Sequence, residues 1–520
     1  MPQRIDLPQI IARHGQRIFL IDPATGRELT YAGLGALAAE LAAGMAERGA
    51  APGRRVALLL PNCLEFAALY FACLLSGVVA VPVNPALHPR EIEFILAHSG
   101  ASLVMVSPGT RGLLSPDLME RFAKRLVCLK PLAEKDGDPG GLPVWTPATG
   151  EAAASGPNPT QEGLATIHFT SGTTGRPKGV AHTPHSLMAS ALAFNQLMGF
   201  APRHRFFHIL PMAYMAGFLN TLLCPFLIGA SVVLGPPFDA MLALRFWELP
   251  RAHGVNAMWL VPTMLSVLMQ VDRAAAGPEY CRAHMDTICV GTAPLPLKLK
   301  QDFEDRYGVT AHESYGLSET LFVAGNCRSF PFQAGAVGRV LPGVEIQFRD
   351  KTGQALAPGE EGDLWLRSDF MMAGYLNYET LEPEPAPEWF PSGDLGRLGP
   401  QGHLFITGRR KDLIIRAGTN VSPRAVEEAL LEHPALTSAA VVGLPHPVYG
   451  EEVAAAVALK PGQDFALVRG ELQELCRRRL SPAACPSRIT VLAEMPLGKT
   501  GKILKDRVRE LLAPAASPRA

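Results

Sequence analysis

Apolar positions along this chain follow two periods. Tyr31, Leu34, Leu37, Leu41 and Met45 recur at helical spacing, with Thr30 placed to cap the start and Gly49 to end it. Ahead of them, 18–22 and 28–31 read as two strands of a hairpin across Pro23-Ala24-Thr25-Gly26. Residues 56–60 are continuously apolar, as in a strand buried on both faces. The run 66–83 is equally apolar but contains Ser76, Gly77 and Pro82. It reads as a buried helix breaking at Gly77 into a buried strand, with a spanning helix as the alternative. A helix over 91–97 and a strand over 102–106 continue the alternation, and 132–162 is an irregular segment rich in Gly, Pro and Ala.

A second series follows, with strands at 205–210, 231–234, 257–261 and 287–291 and helices at 216–228, 241–253 and 297–307. Strands alternating with helices argue for parallel sheets covered on both faces. From Gly335 the texture turns to short strands with turn signals (344–348, 362–367 and 403–406), the mark of a small β-rich subdomain. After Gly408, Ser422-Pro423 supplies an N-cap and a proline at the first helical position. Strands at 439–444 and 453–460 and helices near 468–480 and 503–512 complete the chain. The predicted fold class is α/β: a large N-terminal domain (1–410) of two α/β subdomains plus a small β subdomain, then a small α+β C-terminal domain (411–520).

Composition adds boundaries rather than identity. At 520 residues the chain exceeds a typical single core. Its 48 basic and 48 acidic side chains cancel, so no global field argues for nucleic acid or an anionic membrane as a partner. The nine cysteines are scattered with no Cys-x-x-Cys pair, which suits neither a disulfide framework nor a zinc site and fits a reducing compartment. Residues 1–20 carry Arg, Asp and His among their apolar positions, so they lack a signal-peptide core, and a cytoplasmic location is expected.

The densest chemistry lies in Phe169-Thr170-Ser171-Gly172-Thr173-Thr174-Gly175-Arg176-Pro177-Lys178-Gly179. Its glycines let a polyanion approach the backbone, its hydroxyls and amides can donate to one, and Lys178 adds charge. A phosphate-gripping loop and a polar surface turn both fit. The spacing is not that of a Walker A loop. Gly498-Lys499-Thr500 imitates the end of one, but Ala493 stands where its first glycine belongs.

The loop resembles the signature of the adenylate-forming superfamily, and further stretches in matching order extend the likeness over nearly the whole chain. They are Tyr315-Gly316-Leu317-Ser318-Glu319-Thr320, Ser392-Gly393-Asp394, Gly408-Arg409-Arg410-Lys411-Asp412 and Gly501-Lys502. The branch most similar is the acyl-CoA synthetases, or carboxylate–CoA ligases. This resemblance implies ATP, Mg²⁺ and coenzyme A as co-substrates and cofactor, a small carboxylic acid as substrate, and a C-terminal domain that moves about a hinge at Lys411. It implies catalytic roles for Lys178, Glu319 and Lys502. Thr170, Ser171, Gly172, Thr173, Thr174, Gly175, Tyr315, Gly316, Ser318, Asp394 and Arg409 would contact ATP or AMP. Glu319 and Thr174 would serve the metal, Tyr315 would lie beside the adenine, and Asp394 would take both ribose hydroxyls, as one carboxylate can.

In Arg416-Ala417-Gly418-Thr419, Gly418 and Thr419 fall on the family's CoA tunnel, and Ala417 replaces a more usual glycine. The resemblance places the acyl pocket at Tyr214, Met215, Phe218, Gly291, Thr292 and Ala293. Ala213 and Tyr214 depart from the family's Phe and His, Thr292 departs from a frequent glycine, and the aspartate of amino-acid-activating relatives is absent. The expectation is an apolar acid of short or medium chain, or a small cyclic or aryl acid. An acyl carrier protein in place of CoA is a second reading, and a nucleotide-binding protein without catalysis a third. A monomer or a homodimer would serve equally.

Overall fold

The structure is a computed structural model that describes residues 6–129, 144–145, 163–170, 176–498 and 502–513. The irregular segment expected at 132–162 lies almost wholly outside them, as do 171–175 of the glycine-rich loop and 499–501 before Lys502.

One sheet of nine strands gathers the early units. Strands Arg55–Leu59, Val79–Pro82, Leu103–Val106 and Leu126–Leu129 pair in parallel. Thr166–Thr170 joins them in parallel and then turns back antiparallel into Lys178–His182. The apolar run predicted to break does break. Helix Leu64–Ser76 is buried from Leu64 to Leu74, and Gly77, at a φ of 71°, ends it where a side chain would be strained. Among the described residues no helix is long and apolar enough to cross a membrane.

The second sheet has thirteen strands. Its parallel centre runs through Ser231–Leu234, Arg205–His208, Ala257–Leu260, Thr287–Val290 and Ala311–Leu317. The hairpin Ile18–Asp22 and Arg27–Thr30 crosses from the other end of the chain to close one edge beside Ser231–Leu234. Thr30 caps the following helix through Oγ1, which accepts from the Gly33 amide at 3.0 Å.

Three expectations change. The β-rich region begins before Gly335: Leu321–Gly325 already pairs antiparallel with Ala311–Leu317, so the β subdomain continues the parallel sheet. The helix expected over 241–253 is two, Ala240–Leu244 and Glu248–His253, because the ring of Pro250 would strike the carbonyl four residues back in a continuous helix. The helix expected over 216–228 passes through a π-helical turn at Leu219–Leu223. Pro225 brings no N–H, and the Thr221 hydroxyl donates to the Gly217 carbonyl at 2.9 Å, so the ladder slips by one residue.

The C-terminal unit is a five-stranded sheet. Val426 and Leu430 of helix Pro423–Leu431 share one of its apolar clusters with Val468 and Leu472 of Phe465–Arg479, and Val508 and Leu512 of Lys505–Leu512 belong to another. Ser422 does not cap its helix as expected. Its hydroxyl donates instead to the Thr407 carbonyl at 2.6 Å, and Arg424 donates to the Ile406 carbonyl at 2.6 Å. Both bonds dock this unit on strand His403–Arg409.

Candidate active site

The register of three hairpins sets the candidate polar residues. In the first, Thr170 pairs with Lys178, so the glycine-rich connection leaves and returns at one point. The expected contacts of Ser171, Gly172, Thr173, Thr174 and Gly175 lie outside the described residues. Lys178 places its ammonium 5.0 Å from the centroid of the Tyr375 ring, and the Tyr375 hydroxyl donates to Glu319 Oε1 at 2.7 Å. Burial first, and then the Glu319 carboxylate, hold that phenol well above its ordinary pKa, so it stays a donor.

His182, four residues after Lys178, lies on the same face of its strand. Its Nε2 donates to the Ser318 carbonyl at 2.6 Å, fixing the turn that carries Glu319. Burial pushes the imidazole down to about 4, so it is neutral, with Nδ1 left to accept from Ser186 Oγ at 3.2 Å. Sequence reasoning missed both Tyr375 and His182. The alternation Lys178–Val180–His182 was a signal available for the histidine; nothing local marked Tyr375.

The second hairpin sets Asp394 opposite Arg409. Arg409 Nε donates to Asp394 Oδ1 at 3.1 Å, and the Tyr315 hydroxyl donates to Oδ2 at 2.5 Å. Asp394 is 3% exposed. Gly393, at a φ of 75°, turns the chain so that the Asp394 amide donates to Ser392 Oγ at 3.1 Å. A carboxylate offers about four lone-pair positions, so two donors leave room for further hydroxyls.

The third hairpin carries Lys502. Leu497 bridges Ile503, and the Gly498 amide donates to the Lys502 carbonyl at 2.7 Å. The Lys502 residue keeps solvent exposure while its ammonium lies within the fields of Arg409, Asp394 and Glu319. Crowding by protein, with repulsion from Arg409, lowers its pKa against the opposing pull of the two carboxylates. The structure therefore brings Lys178, Glu319, Asp394, Arg409, Tyr315 and Lys502 into one electrostatic neighbourhood.

Other predicted residues lie elsewhere. Lys411 sits exposed in a short 3₁₀ turn, Arg410–Asp412, after Arg409. Gly418 and Thr419 are exposed at a hairpin tip, where Ala417 and Gly418 take φ values of 50° and 80°. That pair of positive angles suits a two-residue turn, at the cost of strain in the alanine. Phe218 stacks on Tyr70 at 4.1 Å between centroids in the apolar cluster that also holds Met215, and burial raises the pKa of the Tyr214 phenol. Gly291, Thr292 and Ala293 form the turn at the end of strand Thr287–Val290, and Thr292 takes a φ of 68°. That angle explains why a glycine is at home there.

For Mg²⁺ the donor chemistry fits. Glu319 offers hard oxygens, and among the described residues no cluster of three His, Cys, Asp or Glu competes for an ion. One carboxylate completed by phosphates and water is the arrangement such a site allows.

Comparison with known proteins shows the family. Residues 7–376 match the AMP-binding enzyme family, and 425–502 match the AMP-binding enzyme C-terminal domain. The sulfoacetate–CoA ligase of Cupriavidus necator is 32% identical over 493 residues, covering 93% of each chain. The medium-chain fatty-acid–CoA ligase of Escherichia coli is 30% identical over 502 residues, covering 93% of this chain and 86% of that protein. The crystal structure of ATP-bound MatB from Rhodopseudomonas palustris superimposes with a TM-score of 0.84 at 26% identity, covering 98% of this chain and 99% of that one.

Proposed function

We propose, from the premise that this chain belongs to the AMP-binding enzyme family and is an AMP-forming acid–CoA ligase, that its acid is of short or medium chain, or a small cyclic or aryl acid. The reaction class stands on the relatives: ATP activates a carboxylic acid as acyl-adenylate, pyrophosphate leaves, and the CoA thiol displaces AMP. The acid itself is our reading. The β-branched Thr292, where a glycine would leave more room, supports a confined pocket. The relatives' named acids run from sulfoacetate through medium-chain to long-chain fatty acids, so the chain length rests on the pocket and not on them.

We assign the site residues as follows. Lys502 bridges the attacking carboxylate and the α-phosphate, where charge builds in the transition state. Lys178 and the glycine-rich loop would hold the outer phosphates, and Glu319 would hold Mg²⁺. When bound, that ion neutralises phosphate charge. Asp394 and Arg409 hold the ribose, and Tyr315 fixes Asp394 while flanking the base. Residues 1–410 and 411–520 act as two bodies. In the second half-reaction the latter turns about Lys411, withdraws Lys502 and presents Gly418, which requires the bonds from Ser422 and Arg424 to the N-terminal body to break.

The observation that carries this reading is the buried Asp394 carboxylate held between Tyr315 and Arg409, with Lys502 in the field of both Asp394 and Arg409. Acid-dependent pyrophosphate release across straight-chain, cyclic and aryl acids, with and without CoA, tests it. Short, medium or small ring acids should give acyl-CoA and AMP. Preference for long-chain acids would refute the pocket reading, and adenylate that ignores CoA would redirect the acceptor to a carrier protein.

A further inference from the structure

Two polar groups beside the expected acyl pocket have no partner among the described residues: the indole N–H of Trp259 and the hydroxyl of Thr292. Both atoms are buried, and Trp259 as a whole is 2% exposed. Buried polar groups are nearly always hydrogen-bonded, because leaving them unpaired forfeits their hydration, so an orphan in a native fold calls for an explanation. These two converge. Trp259 lies on strand Ala257–Leu260, and Thr292 follows the next parallel strand, Thr287–Val290, with Leu260 paired to Val290. A Cβ built on Gly291, the residue before Thr292, would lie 3.4 Å from Trp259 Nε1, 3.2 Å from the Ser314 carbonyl oxygen and 2.8 Å from Ser314 Oγ, so the indole N–H faces a position that carries no side chain. Ser314 precedes Tyr315, whose hydroxyl binds Asp394. Both therefore sit at the carboxyl ends of adjacent parallel strands, where open α/β sheets bind ligands. Thr292 is also held at a φ of 68°, a strained angle for a β-branched residue and one that clusters at ligand sites.

Resting on the ligase reading above, we propose that the acid this enzyme activates carries a neutral hydrogen-bond acceptor on its acyl portion, and that Trp259 and Thr292 select it. The acceptor is an oxo, ether, hydroxyl or ring heteroatom. An indole only donates, so the substituent must bring a lone pair, which the threonine hydroxyl can share. Neither group brings positive charge, so a second carboxylate or a sulfonate is a poor fit. A plain alkyl or aryl acid would leave both groups unpaired and lose the discrimination that such sites give.

The test compares matched acids: hexanoate with its oxo and hydroxy analogues at successive carbons, benzoate with its methoxy and hydroxy analogues, and adipate for a second charge. The inference expects kcat/KM for at least one acceptor-bearing acid to exceed its plain match on the order of 10- to 100-fold. Trp259→Phe and Thr292→Val should each erase most of that ratio, measured within each variant as the acceptor-bearing acid against its plain match, and Thr292→Ser should retain it. Because Trp259→Phe could also loosen the core, a second measurement uses the unaltered protein. In ¹⁵N-tryptophan-labelled enzyme the Trp259 indole N–H resonance should move downfield with the preferred acid and not with its plain match. Equal rates within every pair, preference for adipate, or an unmoved indole signal would overturn the inference while the ligase reading stands. Pyrophosphate release from no acid would overturn both.

Discussion

Asp394 and Trp259 are both deeply buried, and they solve burial in opposite ways. Asp394 has a phenol on one oxygen, a guanidinium on the other and a serine beneath its amide. Trp259 has an N–H with no acceptor among the described residues. On the side we assign to the nucleotide, the protein pairs its polar groups with one another and would hold them ready for a ligand that is the same in every turnover. On the side we assign to the acid, the bonds would stay unmade until an acid arrives. The first arrangement gives pre-organisation, since little must reorder on binding. The second gives selectivity, since a wrong acid leaves a buried group unsatisfied.

Substitutions that act on one side and spare the other would sharpen this contrast, and any that fail to do so would break it. The largest effect belongs to Lys502→Ala, which should cut the adenylation rate about 10²- to 10³-fold for every acid alike, as loss of a transition-state charge contact does. Rapid-quench pyrophosphate assays would show it, and acyl-CoA formation from supplied acyl-adenylate should suffer far less.

Asp394→Ala comes next. It leaves the Tyr315 hydroxyl and Arg409 without their shared acceptor, so the KM for ATP should rise about 10- to 100-fold while the ranking of acids stays put. Steady-state kinetics with two different acids would check both halves of the statement.

The pH profile gives a smaller, graded effect. Lys502 must be protonated to bridge two anions, and its pKa is lowered by its surroundings. The adenylation rate should therefore fall as pH rises through that lowered value, starting below the ordinary lysine value of about 10.4, roughly tenfold per unit once past it. The alkaline limb should vanish in Lys502→Ala.

The smallest change is Thr292→Gly. It removes a side chain from a φ of 68° and widens the turn, so bulkier acids should gain a few-fold in kcat/KM with the KM for ATP unmoved. Relief of backbone strain should offset the flexibility of glycine to within about 1 kcal/mol, readable as a small shift in Tm.

Much of the fold could be read in advance because its signals are local. The cap at Thr30, the break at Gly77 and the helix Leu297–Tyr307 each depend on residues within one or two turns. The departures all involve something distant or a backbone detail that periodicity does not register. Ser422 had the residue type of a cap, but a carbonyl fifteen positions back was the better acceptor. Pro225 and Pro250 altered their helices through missing donors and ring clashes that an apolar repeat overlooks.

The sequence by itself determined the family likeness, the order of the polar motifs, and so the chemistry of activation. A short motif carries its own donors, turns and charges, and its spacing survives in one dimension. Tertiary structure alone decided that Tyr375 anchors Glu319, that His182 anchors Ser318, and that the Trp259 indole and the Thr292 hydroxyl are buried with no partner among the described residues. These pairs come from strands and turns brought together by sheet order and register. Whether a buried donor has a partner is a property of three-dimensional neighbours, which no local pattern records.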